Sequence, residues 1–292
     1  MTRPILSILI PFHASAASDR RAMLTELLTT IPDRKDIEIV VVDDHSTLVF
    51  DRAAAKRETL KMYPLPDGLR FAGAARNHAM KLSSADFCLF ADSDDLFDKD
   101  RLNLLCDKLK HANPQDRVVY LLQSHEFVGA ADAAKPALYS QALLATSKSD
   151  TAQLLLGWHA PWGKVFPRDE ALRAGLKFDE DQRVANDSMF SARLAFFATS
   201  TFVVPGPTYF VRRQHNAGAL TSLRDTQSVR VRIETFRKVN TYVRTMGRAD
   251  LVIPMHHAFR SFFKVAPRVV ISEIVKSITS GEQILPRRLH AK

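Results

Sequence analysis

FADSDDLFDKDRL, residues 90–102, places five aspartates, Asp92, Asp94, Asp95, Asp98 and Asp100, directly behind the apolar run DFCLFA (86–91). A short apolar run that ends in acids and passes into a helical pattern over 98–111 reads as a buried strand, a loop and a helix in succession. Working outward, ILSILI (5–10) and IEIVVV (37–42) are runs of the same kind, continuous as in parallel strands buried on both faces. Helical patterns are expected between and after them at 19–30, 48–62 and 73–82. Strands alternating with helices imply βαβ units and a mostly parallel central sheet flanked by helices, an α/β fold. Right-handed crossovers then gather the strand C-terminal ends along one edge, where open α/β sheets bind ligands. PFH (11–13), DDHS (43–46) and DSDD (92–95) each follow a strand, so all three are expected at that edge.

Beyond residue 111 the pattern is less regular. Residues 117–129 read as a strand, 150–166 as a helix running into a Trp-bearing loop and strand, 186–198 as a helix and 201–213 as strand-like. Residues 223–279 are helical in pattern, and a composition shift near 219–224 divides the chain into an expected catalytic domain, 1–222, and a basic helical extension, 223–292. Of the 41 Lys and Arg, 14 lie from Arg224 onward against 5 acids, so the whole net charge of +9 resides there. Such a segment attracts nucleic acid, anionic lipid or anionic substrate, or is a solvated helix face. Apolar groups at helical spacing, including Phe259, Phe262, Phe263, Val269, Val270 and Ile274, favour an anionic membrane surface or a packed helical cap. The segment lacks the aromatic-interleaved pattern of an RNA motif, and no nucleic-acid partner is expected. Cys88 and Cys106 lie in apolar patterns and read as core thiols of a reducing compartment. No secretory signal is legible in the first residues, and no run approaches the roughly 20 apolar residues of a spanning helix. A cytoplasmic protein, or one peripheral on the inner face of the plasma membrane, is expected.

Acids at a helix start are favoured by the dipole and by capping, which accounts for one or two of the five aspartates. Crowded carboxylates repel unless a cation stands between them. Hard oxygen donors with open positions suit Mg²⁺ or Mn²⁺ bound together with substrate phosphates. An Asp-nucleophile phosphohydrolase would need a nearby Thr, which DSDDLF does not offer.

Seven segments together carry a resemblance: SILIPFH, IEIVVVDDHS, GLRFAGAARNHAM, FADSDDLFDKDRL, PWGKVFPRDEALRAGLKF, NDSMFSARLAF and TYFVRRQHNAGALTS. In this order the chain resembles the family 2 glycosyltransferases of GT-A fold over residues 5 to about 222. The resemblance implies an inverting, metal-dependent transferase that uses a nucleotide-sugar donor, UDP-linked, and a glycan or lipid-linked acceptor in surface polysaccharide synthesis of bacterial type. A catalytically weak sugar-nucleotide-binding protein is the alternative. The implied donor site holds Pro11 and Phe12, whose ring would pack on the base, Asp44, which would accept from a uracil N–H, and Arg76 near the diphosphate. Asp92 is implied for ribose and metal and Asp94 as direct metal ligand, with Asp95 behind them. His215 is implied to close over metal and diphosphate, with Arg212 and Arg213 as other phosphate partners. Asp187 matches the general base; Asn186 stands where the family usually has an acid. Trp158, His159 and Trp162 are candidates for stacking on the acceptor sugar.

Overall fold

The computed structural model of the chain describes residues 3–55, 57–129, 134–137, 150–213, 225–282 and 284. Four strands, β1 (Leu6–Phe12), β2 (Ile37–Asp43), β3 (Leu60–Pro64) and β4 (Phe87–Phe90), pair in parallel in the order β3-β2-β1-β4. Beyond β4 the sheet continues through β8 (Lys164–Pro167), β6 (Val118–Phe127), β9 (Ser200–Arg212) and the two-residue β5 (Leu96–Phe97). The short β7 (Lys135–Pro136) pairs with β6. β8 runs antiparallel to both β4 and β6, whereas β6 and β9 are parallel, so most strands share one direction. β1 and β2 are buried along nearly their whole length, as their unbroken apolar runs require. One buried acid lies among them: Glu38 of β2 accepts from Ser7 Oγ (2.5 Å), Lys61 Nζ (2.6 Å) and Ser84 N (2.8 Å), tying three parallel strands together.

Helices α1 (Arg21–Thr30), α2 (Phe71–Leu82), α3 (Lys99–Leu109), α4 (Thr151–Gly157), α5 (Arg168–Arg173) and α6 (Asn186–Phe197) accompany the sheet. The helix expected over 48–62 does not form. Residues 53–55 make a single 3-10 turn and Leu60–Pro64 is an edge strand, in register from Ile39↔Leu60 to Asp43↔Pro64. Pro64 lacks the N–H a helix interior needs, and an edge position tolerates it. In β9 the sequence Pro205-Gly206-Pro207 is accommodated by a shift of register against β6 around Gln123. Gly206 there has φ +80°, and a Cβ would meet the Arg101 guanidinium at 2.6 Å.

The C-terminal helices are α7 (Thr226–Thr245), α8 (His256–Phe263) and α9 (Pro267–Thr279). Val239 and Val243 of α7 join the main core, while Val229 and Ile233 join a second apolar cluster with Met255, Phe259, Phe262, Val269 and Val270. Arg237, largely buried, fastens α7 to α9 through Glu273, Ser277 Oγ (3.1 Å) and Glu282 (2.8 Å). Phe259, Phe262, Val269 and Val270 are therefore interior groups, and Ile274 packs against them. Helical periodicity marks the face a helix buries, which here is against its neighbours. The expected boundary at 219–224 lies outside the described residues. Among the described residues no helix is long and apolar enough to cross a membrane.

Candidate active site

The loops after β1 and β2 are laced together at the strand C-terminal ends. Ser46 Oγ accepts from Ala14 N (2.8 Å) and donates to Asp43, whose carboxylate also accepts from Ser46 N (3.1 Å). His13 Nδ1 donates to the Asp44 carbonyl at 2.7 Å. The Asp44 carboxylate reaches Phe71 N (2.9 Å), the first residue of α2, which stands at φ +75°. One Asp44 oxygen thus caps α2 and holds an uncommon backbone conformation in place.

Phe12 departs from the expectation. It is 1% exposed and its ring packs edge-on against Phe50 at 5.9 Å, so it offers no open face to a base. Consecutive side chains of a strand point to opposite faces, and the exposed ring at this strand end is the next residue, His13. Pro11, half-buried, lies within β1. The tryptophans differ likewise. Trp158 and Trp162 are 2% and 6% exposed; they meet edge-to-face at 6.1 Å, and Trp162 stacks on Tyr209 at 5.3 Å. Their rings are core material, not an acceptor platform. His159 is half-buried, and its burial beside Lys164 pulls its pKa down to about 4, so it is neutral at ordinary pH.

Three distant parts of the chain meet at Arg76. Its Nη2 donates to Asp92 (2.7 Å), its Nη1 to Asn186 Oδ1 (3.3 Å), and the guanidinium lies over the Phe178 ring at 5.4 Å. Its Nε is buried without a hydrogen-bond partner among the described residues. The neighbouring Asn77 fixes this corner, accepting from Phe178 N (2.8 Å) and donating to Phe178 O (3.0 Å) and Glu180 (2.9 Å). Gly73 permits the approach, since a Cβ would stand 2.8 Å from Asp179 O. Phe178 in turn stacks flat on Phe190 of α6 at 4.2 Å, so α2 and α6 are held at a set distance.

The acidic loop divides its labour. Asp98 caps α3, accepting from Arg101 N at 2.9 Å. Asp95, 2% exposed, accepts from Tyr209 Oη (2.6 Å) and Arg212 N (2.8 Å), and the same Tyr209 oxygen accepts from Asp92 N (3.0 Å). Burial and the nearby charges of Asp92 and Asp94 push the Asp95 carboxyl well up, against these bonds. Asp94 pairs with Arg20 (3.1 Å); burial raises its pKa, partly offset by Arg20. Arg212 is committed to Asp94 O (2.9 Å) and Glu26 (2.6 Å), and Arg213 pairs with Glu126. His215 lies outside the described residues.

Asp187 is the second residue of α6. The helix begins at Asn186 after Ala185, whose φ is +58°, and no side chain caps it, so Asp187 is not spent on an N-cap. Burial raises its pKa, while Arg76 and Lys164 favour its charged form. Lys164, which sequence reasoning did not single out, is fully buried beneath the site. Its ammonium donates to Trp158 O and to Ser191 Oγ (2.9 Å), and burial brings its pKa down to about 7. A lone Lys in the strand KVFP gives no signal in sequence; only its burial marks it.

As a cation site, Asp92 and Asp94 offer hard carboxylate oxygens whose mutual repulsion a metal would relieve. Among the described residues no three His, Cys, Asp or Glu side chains are grouped to hold an ion by themselves. The donor set therefore fits an ion that shares its coordination with substrate phosphates, and does not fit an all-protein cage.

Comparison with known proteins accords with this geometry. Residues 7–127 match the glycosyl transferase family 2. No curated protein matches the chain. Among solved structures, that of S. aureus TarS 1–349 in complex with UDP-GlcNAc is 19% identical with a TM-score of 0.63, covering 99% of this chain and 76% of that one. A longer structure of S. aureus TarS, 18% identical with a TM-score of 0.62, is matched over 99% of this chain and 46% of its own. The mannosyltransferase PcManGT from Pyrobaculum calidifontis, in complex with GDP-Man and Mn²⁺, is 15% identical with a TM-score of 0.56, covering 97% of this chain and 77% of that one. Residues 7–127 thus match the glycosyl transferase family 2, and the chain shares the fold of these solved glycosyltransferases, GT-A.

Proposed function

We propose that the chain transfers a sugar from a nucleotide-sugar donor, UDP-linked, to a glycan or lipid-linked acceptor, with inversion at the anomeric carbon. The observation that carries this reading is the meeting at Arg76 of Asp92, from the loop after β4, with Asn186, beside Asp187 at the start of α6. Donor phosphate groups and a proton acceptor are thereby served on adjoining elements. The acceptor hydroxyl gives its proton to the Asp187 carboxylate as its oxygen bonds to the anomeric carbon; the bond from that carbon to the diphosphate oxygen breaks, and the nucleoside diphosphate leaves. Burial raises the Asp187 pKa, which makes its carboxylate a stronger base than a solvated one. Arg76 would steady the leaving diphosphate. Asp92 and Asp94 would hold Mg²⁺ or Mn²⁺, which supplies positive charge to the departing diphosphate when bound. The crystallised relatives with UDP-GlcNAc, and with GDP-Man and Mn²⁺, support the donor class and a divalent ion.

For the base, one Asp44 oxygen caps α2 and the other is left for a uracil N–H, with His13 in place of Phe12 as the exposed ring beside it. We assign residues 1–222 to catalysis and 223–292 to an extension. Two buried, unpaired cysteines support a cytoplasmic enzyme, and surface polysaccharide synthesis is the process this chemistry fits. The test is slow hydrolysis of a panel of UDP- and GDP-sugars by the purified chain with Mn²⁺ or Mg²⁺. One UDP-sugar should be turned over well above the rest. If none is turned over and none binds by calorimetry, the reading fails.

A further inference from the structure

Half of the ten large apolar side chains exposed among the described residues fall within sixteen positions: Phe263 (46%), Val265 (43%), Ile271 (52%), Val275 (56%) and Ile278 (64%). Ile271, Val275 and Ile278 follow one another at intervals of four and three, so they form a single stripe along α9. The opposite side of α9, with Val269, Val270 and Ser277, is the one buried against α7 and α8. The stripe is therefore surplus to packing.

Its surroundings are one-signed. Arg260, Lys264, Arg268 and Lys276 of the same segment are exposed, and the only acid between Pro254 and Gly281 is Glu273. Glu273 is turned inward onto Arg237, with its side chain 13% exposed. Lys276 has a distant acid, Glu234 of α7, at 3.8 Å, a solvated pair of little strength. We infer that the outer face of the α8–α9 hairpin is a docking surface for an anionic phospholipid bilayer, with Ile271, Val275, Ile278, Phe263 and Val265 entering the headgroup boundary and the four basic side chains meeting lipid phosphates. Charge decides the occupant: two helices that expose an apolar stripe and four cations, and turn no acid of their own outward, complement an anionic interface. The helix is amphipathic on both counts, one apolar side spent on the protein and the other left for lipid, and it lies along the surface because it is too short and too charged to span. Phe263 apart, the residues differ from those that periodicity alone would nominate, since the others are buried or packed against the interior. The inference stands apart from the donor chemistry, because lipid binding is measured without turnover.

The test uses the full chain and co-sedimentation with vesicles of phosphatidylcholine alone or mixed with phosphatidylglycerol. Binding is expected to the mixed vesicles only and to weaken as salt is raised. Charge reversal at Lys264→Glu and Arg268→Glu should weaken it by at least roughly fivefold per residue. The triple variant Ile271→Ser, Val275→Ser, Ile278→Ser should abolish binding while keeping wild-type UDP affinity and thermal midpoint, because exposed positions tolerate such changes. Failure of the wild-type chain to bind mixed vesicles overturns the inference. So does a concentration-dependent dimer that the triple variant converts to monomer without any change in vesicle binding, which would give the stripe to a second copy of the chain.

Discussion

Replacing Lys164 with Met separates two consequences of burying an ammonium under the candidate base. The lysine has no exposure and its pKa falls from 10.5 to about 7 because burial penalises the charged form, with Asp187 pulling the other way. Between those two values the unfolded chain binds a proton at this residue and the folded chain does not, so stability rises with pH across that window. Each pH unit there corresponds to about 1.4 kcal/mol. From pH 7, where the folded group is half protonated, to about pH 9.5, the rise amounts to about 3 kcal/mol. Lys164→Met removes it. Urea unfolding of both proteins at several pH values gives the difference in unfolding free energy, and groups common to the two cancel. That difference, wild type minus variant, should climb by about 3 kcal/mol over the range. The absolute offset also contains the hydrogen bonds lost at Trp158 O and Ser191, so the slope, not the offset, is diagnostic. A flat difference would refute the argument, since it would mean that Lys164 titrates alike in the folded and unfolded chains. Activity supplies an independent check. Without the ammonium, Asp187 loses one of the charges that favour its ionised form, and the acid limb of the pH–rate profile should move to higher pH.

Asp187→Asn should lower transfer by about a hundredfold or more while calorimetry finds UDP affinity within a few-fold of wild type. Asp94→Ala should abolish any strengthening of UDP binding by Mn²⁺ or Mg²⁺; equal UDP affinity in the wild-type chain with and without chelator would remove the metal from the scheme. Tyr209→Phe deprives Asp95 of a donor and Asp92 N of an acceptor inside the core, and should cost about 1–3 kcal/mol in urea unfolding.

Unbroken apolar runs reveal buried parallel strands, so β1, β2 and β4 and the crevice at their ends were legible from residue types alone. The failures have definite causes. The segment 48–62 is rich in Ala, Arg, Lys and Glu, which favour helix locally, yet pairing with the open edge of β2 claims Leu60–Pro64 as a strand. The two-residue strand β5 exists only because β9 is beside it, a partner more than a hundred residues away, Leu96↔Phe210. Side-chain direction was the weak point of the site. Composition placed rings at Phe12, Trp158 and Trp162, but which way a ring points depends on the strand's phase and on what fills the space behind, Phe50 in one case and Tyr209 in another. Asp92 and Asp187 were nominated by motif position, whereas Lys164 became visible only through its burial.

The five aspartates behind β4 turn out to have unequal freedom. Asp98 is bound to the start of α3 and Asp100 lies in that helix's first turn, both uses that the helix dipole rewards. Asp95 is locked by Tyr209 and by Arg212 N in a place water does not reach. That leaves Asp92 and Asp94, with side-chain exposures of 32% and 16%, each held by one arginine. The two arginines differ in turn. Arg76 is 8% exposed, fixed over Phe178 and shared with Asn186, so it is a permanent part of the wall. Arg20 is 32% exposed and is bonded to Asp94 from just ahead of α1, a partner that water already reaches. On the proposed reading, an incoming cation would displace Arg20 more readily than Arg76, and at Asp92 it would share the carboxylate with the fixed guanidinium. The physical expectation is a division of roles in which Asp94 exchanges its partner on donor binding and Asp92 keeps its own, with Tyr209 preventing the loop between them from changing shape as it happens.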